Sequence, residues 1–220
     1  MPERLIKGAG SEQVAAALLA SGVIRFYEGE PFTFTSGLKS PVYVNIRGLL
    51  SAPQRDEVIR IWCEGLAGLA DHQFDVAVGG ETAGIPYAAF VASRTGQPMA
   101  YVRKKTKDFG MKNQIEGGDI SGKRCALIED LTTDGGSKIA FVDVMRAAGA
   151  TVSLTTSVFY YGIYPETAGR LAEHDLSLFY LCDWSDVLQS GAAAGYFDAR
   201  QRDELAAFLS NPEGWKPRLG

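Results

Sequence analysis

CALIEDLTTDGGS, residues 125–137, is the stretch from which the rest of this 220-residue chain can be read. Cys125 to Ile128 are four consecutive apolar residues, a length that suits a buried strand. Glu129 and Asp130 follow at the expected strand end, and a Thr/Gly turn then opens into a helical period, Ser137 to Ala148. Backbone N–H groups at a helix start lack internal partners, and the macrodipole there favours an anion. Leu131, Thr132, Thr133, Asp134, Gly135, Gly136 and Ser137 can therefore wrap a phosphate. Two acids beside a phosphate need another kind of partner, and the neutral diol of a ribose suits carboxylate acceptors. The combination points to a sugar phosphate; the plainer alternative is an acidic strand end without a ligand. The stretch has neither the Gly-Lys-Ser/Thr ending of a P-loop nor a Gly-x-Gly-x-x-Gly dinucleotide turn.

Outward from this turn, short extended segments rich in apolar residues at 75–79, 99–103 and 152–160 alternate with helical periods at Pro86–Ser93 and Ser137–Ala148. Val58, Ile59, Trp62, Leu66 and Leu69 mark one more helix beginning near Pro53. This alternation predicts an α/β, doubly wound, mainly parallel sheet with helices on both faces. Ligands of such sheets lie beyond the carboxyl ends of the strands. Upstream, Ser11 is placed to cap a helix that stops at Gly22, and extended pieces at Phe32–Phe34 and Val42–Ile46 suggest a small hood. The expectation is one domain over residues 1–220, of which 1–50 supply the N-terminal helix and the hood. Asp198–Phe208 reads as a helix with no chemical signal.

The formal charge of −4 gives no basic footprint for nucleic acid or a membrane surface. Apolar runs are far too short to span a bilayer, and MPERLIKGAG at the N-terminus has no apolar signal core, so the cytoplasm is the expected location. Cys63, Cys125 and Cys182 are odd in number and far apart, which reads as buried thiols rather than a disulfide or zinc framework. With His72 and His174 as the two histidines, a His-based triad has little to draw on. Against this acidic background Arg103, Lys104, Lys105, Lys107 and Lys112 cluster with Asp108 as their one acid. Unit charges 4 Å apart interact by about 4 kcal/mol at an effective dielectric of 20, so gathering these cations implies a polyanionic partner. Gly117, Gly118 and Gly122 follow, and residues 103–120 read as a mobile basic lid.

Residues 125–137 resemble the phosphoribosyl-pyrophosphate (PRPP) signature of type I phosphoribosyltransferases. From about Phe32 to Val158 the chain is similar to the orotate phosphoribosyltransferase family, through FTFTSGLKSPVYVNIRG (32–48), VGGETAGIP (78–86) and YVRKKTKDFG (101–110). The resemblance implies the type I fold. It also implies transfer of the 5-phosphoribosyl group from PRPP to N1 of orotate, giving orotidine 5′-monophosphate and pyrophosphate in UMP biosynthesis. Mg²⁺ would be held mainly through PRPP, with no metal ligand assigned to the protein, and the lid would act in trans within a homodimer. Carried over by position, Glu129 and Asp130 lie under the ribose and steady its cationic character, and Leu131 to Ser137 hold the 5-phosphate. Arg103, Lys104 and Lys107 meet the pyrophosphate, Lys107 also assisting catalysis. Backbone groups of Tyr43 and Val44, with Thr133, receive orotate. The chain carries Thr35, Thr82, Ala83 and Phe109 where many relatives have other residues, and no arginine follows Tyr160. Recognition of the orotate carboxylate then falls to Thr133, backbone amides or a cation that the sequence does not single out. A phosphoribosyltransferase for another base and a non-catalytic PRPP sensor share the same turn and stay open at this point.

Overall fold

The computed structural model describes residues 4–34, 37–105 and 114–217. Its strands, in chain order, are β1 (Leu5–Lys7), β2 (Ile24–Phe26), β3 (Phe32–Thr33), β4 (Lys39–Ser40), β5 (Val42–Val44), β6 (Val76–Gly80), β7 (Met99–Val102), β8 (Ile115–Glu116), β9 (Arg124–Thr132), β10 (Thr151–Tyr160) and β11 (Ser177–Asp183). The α-helices are α1 (Ser11–Ala20), α2 (Arg55–Ala67), α3 (Gly84–Thr95), α4 (Gly136–Ala147), α5 (Thr167–Glu173), α6 (Trp184–Ala193) and α7 (Ala199–Ser210). A short 3-10 helix, Ile46–Ser51, continues from β5. No described helix is long and apolar enough to cross a membrane.

Seven strands form one sheet in the order β1-β11-β10-β9-β6-β7-β8, parallel except for β8, which runs antiparallel to β7. Every residue of β6 is buried, as expected where helices cover both faces. Tyr87, Ala88 and Val91 of α3 belong to the core cluster on one face, with Ala77, Ala126 and Ile128. Ile139, Phe141, Val142 and Met145 of α4 belong to the cluster on the other, with Val78, Cys125 and Leu127. The chain leaves β6 through α3 toward β7, and leaves β9 through α4 toward β10 in the opposite direction. Right-handed crossovers then require the two helices to lie on opposite faces. The winding reverses between β6 and β9, which opens a crevice at their carboxyl ends.

The doubly wound, mainly parallel sheet expected from the sequence is present. Three details differ. β9 runs on to Thr132, past the acidic pair, because β10 keeps pairing to the register Tyr160↔Thr132. Ser11 is the first residue of α1 rather than its cap: Gly10, at φ 81°, takes the capping position, and Ser11 Oγ donates to Asp186 Oδ1 at 2.9 Å. Strands β1 and β11 and helices α5 and α6, which the pattern did not reveal, complete the sheet's far edge. The three cysteines are buried and free, and burial lifts the Cys63 and Cys125 thiols to about 11. The hood consists of two small antiparallel pairs, β2 with β5 and β3 with β4.

Candidate active site at the carboxyl end of β9

Successive residues on a strand point to opposite faces, so Glu129 and Asp130 part company. Asp130 lines a cavity of about 840 Å³ bounded on one side by Leu131, Thr133 and Asp134, and on the other by Thr33, Phe34 and the segment from Tyr43 to Arg47. Its Oδ1 accepts the Leu131 amide at 2.9 Å, and its Oδ2 lies 4.0 Å from Arg47 Nε. Glu129 is only 6% exposed and turns to the α4 face, where Oε2 accepts from Lys138 Nζ at 2.9 Å. Burial pushes its carboxyl above the usual range, against the opposing pull of Lys138. Thus the sequence put both acids beneath one ribose, whereas in the structure Asp130 alone of the two faces the cavity.

The turn that follows divides its labour. Thr132 is fully buried in the sheet, donating from Oγ1 to Ser157 Oγ at 3.0 Å while its carbonyl accepts the Tyr161 amide at 2.8 Å. Thr133 and Asp134 reach the cavity, and Gly135, at φ 82°, turns the chain into α4. Asp134 Oδ1 accepts the Gly136 amide at 3.3 Å, and Oδ2 lies 2.6 Å from Arg170 Nη1. Partial burial would raise this carboxyl, but the Gly136 amide and the Arg170 guanidinium outweigh it and hold it below its usual range. Gly136 and Ser137 form the first turn of α4.

In the hood, the Asn45 amide donates to the Val23 carbonyl at 2.7 Å. Bonded pairs alternate along an antiparallel ladder, so Tyr43 spends its backbone groups on Arg25, its register partner. Val44, in the non-bonded pair with Ile24, turns its N–H and C=O away from β2. Tyr161 and Tyr164 also line the cavity, while Tyr160 packs against Tyr180 with ring centroids 5.1 Å apart.

Beyond β7, Arg103 exchanges backbone and side-chain hydrogen bonds with Gln114, and its guanidinium lies 3.8 Å from Glu116. The amide of Lys104 donates to Glu81 Oε2 at 2.7 Å, which ties the start of the basic loop to the turn after β6. The Glu81–Thr82 peptide in that turn is cis. Lys107, Phe109 and Lys112 lie outside the described residues, as does Thr35. Sequence reasoning passed over Arg47, Lys138 and Arg170. Arg47 and Lys138 stand inside segments already singled out, but their roles depend on which way a short helix and a strand turn them. Arg170 comes from α5, which carried no periodic signal.

A parallel sheet whose winding reverses beside a strand that carries an acid pair and runs into a Thr/Gly helix entry has the architecture of a phosphoribosyltransferase of the type I class. No family model matches the chain. Among curated proteins, the orotate phosphoribosyltransferase of Cereibacter sphaeroides is 49% identical over 204 residues, covering 92% of this chain and 88% of that protein. The orotate phosphoribosyltransferase of Agrobacterium fabrum is 43% identical over 212 residues, covering 96% of this chain and 91% of its own. Among solved structures, orotate phosphoribosyltransferase from Aeropyrum pernix superposes with a TM-score of 0.69 at 27% identity, over 84% of this chain and 99% of that one. Leishmania donovani UMP synthase gives a TM-score of 0.77 at 25% identity, over 92% of this chain and 42% of that one. The chain belongs to the orotate phosphoribosyltransferase family.

Proposed function

We propose that this chain transfers the 5-phosphoribosyl group of PRPP to N1 of orotate, yielding orotidine 5′-monophosphate and pyrophosphate for UMP synthesis. The observation that carries the reading is the cavity itself, with Asp130 and the entry to α4 on one wall and the hood backbone on the other. In this reading the 5-phosphate sits on the amides of residues 133–137, where N–H groups without a partner in the helix ladder and the helix dipole favour an anion, the Gly136 amide leaving Asp134 to take it. Asp130 accepts from the ribose hydroxyls, and its negative charge favours the oxocarbenium character that develops as the C1–oxygen bond breaks. Orotate ionised at N1 attacks C1 and pyrophosphate departs with the electron pair of that bond.

Orotate carries a carboxylate, and Arg47, 4.0 Å from Asp130, is the one cation among the described residues that line the cavity, whose lining also includes Asp134 and Glu166. It supplies the counter-charge for that carboxylate, while Val44 offers an N–H and a C=O to the ring edge. Arg103 and Lys104, with Lys107 beyond the described residues, meet the pyrophosphate. In this reading Mg²⁺ arrives with PRPP and is held chiefly by it, since this ion dehydrates reluctantly and favours substrate phosphates over an all-protein cage. Mg²⁺ bound to the pyrophosphate supplies charge neutralisation for the leaving group. A homodimer in which each basic loop closes over the partner's site completes the proposal, with water excluded at closure.

Loss of orotate absorbance on adding PRPP and Mg²⁺ tests it, with uracil, adenine and hypoxanthine in parallel. Consumption of orotate alone is expected. Turnover of another base in its place would make this a phosphoribosyltransferase of different specificity, and saturable PRPP binding without pyrophosphate release would make it a sensor.

A further inference from the structure

Glu129 occupies a place that a substrate-facing acid would not need. One oxygen is bound by Lys138, itself 6% exposed, from the first turn of α4. The other, Oε1, is buried without a hydrogen-bond partner and presses on the turn after β6. A Cβ on Gly80 would collide with it, and one on Gly84 would lie 2.8 Å from it. The carboxylate therefore fills the room that two glycines leave, and joins the helix entry beneath the phosphate turn to the turn whose Glu81 accepts the Lys104 amide. From these contacts we infer that Glu129 and Lys138 are a positioning pair, a brace that fixes the phosphate turn at the start of α4 against the turn after β6, while Asp130 takes the ribose. The inference rests on the proposed PRPP site.

The charged groups around Glu129 are Lys138 from α4, Asp130 from its own strand and Lys104 at the end of β7. Glu81, in the turn after β6, is engaged with the Lys104 amide. Removing Lys138 takes away the principal counter-charge of a buried carboxylate, so Glu129 must take up a proton nearer neutral pH or the fold must loosen. In Lys138→Met, KM for PRPP is expected to rise about tenfold while KM for orotate stays within about twofold. kcat/KM for PRPP should also acquire a titration near neutral pH that the parent protein lacks.

The double variant Glu129→Gln/Lys138→Met removes both charges of the buried pair. It should recover the thermal midpoint lost in Lys138→Met and lose the new titration, since uncharged replacement of a buried pair is tolerated better than removal of one partner. Asp130→Asn, in parallel, reports on the PRPP site itself. If Asp130→Asn is harmless, the proposed site fails. If it is damaging and Glu129→Gln costs as much in kcat/KM for PRPP, Glu129 touches the ribose and the brace is refuted. An unchanged PRPP KM and pH profile in Lys138→Met also refutes it.

Discussion

Asp130 and Thr133 stand at the end of a nine-residue strand bonded to a neighbour on each side, whereas Val44, on a three-residue strand with one partner, and Arg47, on the 3-10 helix that follows it, line the opposite side of the cavity. The first wall is anchored through the deepest part of the molecule, between α3 and α4. The second rests on two small antiparallel pairs and a 3-10 helix. The difference matches what each wall must do. A wall that binds the reacting sugar and its phosphate must hold its groups to fractions of an ångström, and a central parallel strand provides that rigidity. A wall that offers backbone groups to a flat base can tolerate more play.

The contrast can be broken first at Asp130. Asp130→Asn should lower kcat/KM for PRPP by about 100-fold, with little change in thermal midpoint, because it removes a charge-assisted contact and no packing. Equal losses toward PRPP and orotate at a reduced midpoint would mean that the sheet wall had been damaged as structure. Gly84→Ala comes next: its methyl would meet the Ile128 carbonyl, which is backbone and cannot give, as well as Glu129. A stability loss of about 3 kcal/mol by chemical denaturation is expected, and a loss within ~0.5 kcal/mol would show that this wall is softer than described. On the hood, Arg47→Gln should raise KM for orotate about tenfold and leave KM for PRPP nearly unchanged. The reverse pattern would move Arg47 to the pyrophosphate. Tyr43→Leu should have the smallest effect, less than about threefold on orotate KM, since the Tyr43 side chain is 45% exposed and its backbone is engaged with β2.

The two walls also differ in how much of each could be read from the sequence. β6, β7, β9 and β10 and their helices declare themselves, because each strand carries a short stretch rich in apolar and β-branched residues and the helices between them keep a 3.6-residue period. The Thr/Gly helix entry was legible for the same reason, since a turn's composition follows from backbone geometry. What the sequence hid was direction. That Glu129 and Asp130 diverge depends on β9 continuing to Thr132, and this in turn depends on pairing with Tyr160, 28 residues later, which no local pattern contains. β1, three residues long, exists because β11 offers it an edge. Ser11 looked like a cap, but Asp186 from the far end of the chain claims its hydroxyl. Arg170 reaches Asp134 across 36 positions. Local chemistry was visible wherever it was enforced locally, and partners brought together by the sheet were not.

The claim on which all of this depends is the placement of PRPP, and a crystal structure of the protein with PRPP and Mg²⁺ tests it most directly. The account predicts the 5-phosphate on the amides of residues 133–137, the ribose hydroxyls on Asp130, and Glu129 still bound to Lys138. A phosphate bound elsewhere, or ribose hydroxyls on Glu129 with Lys138 released, would contradict it.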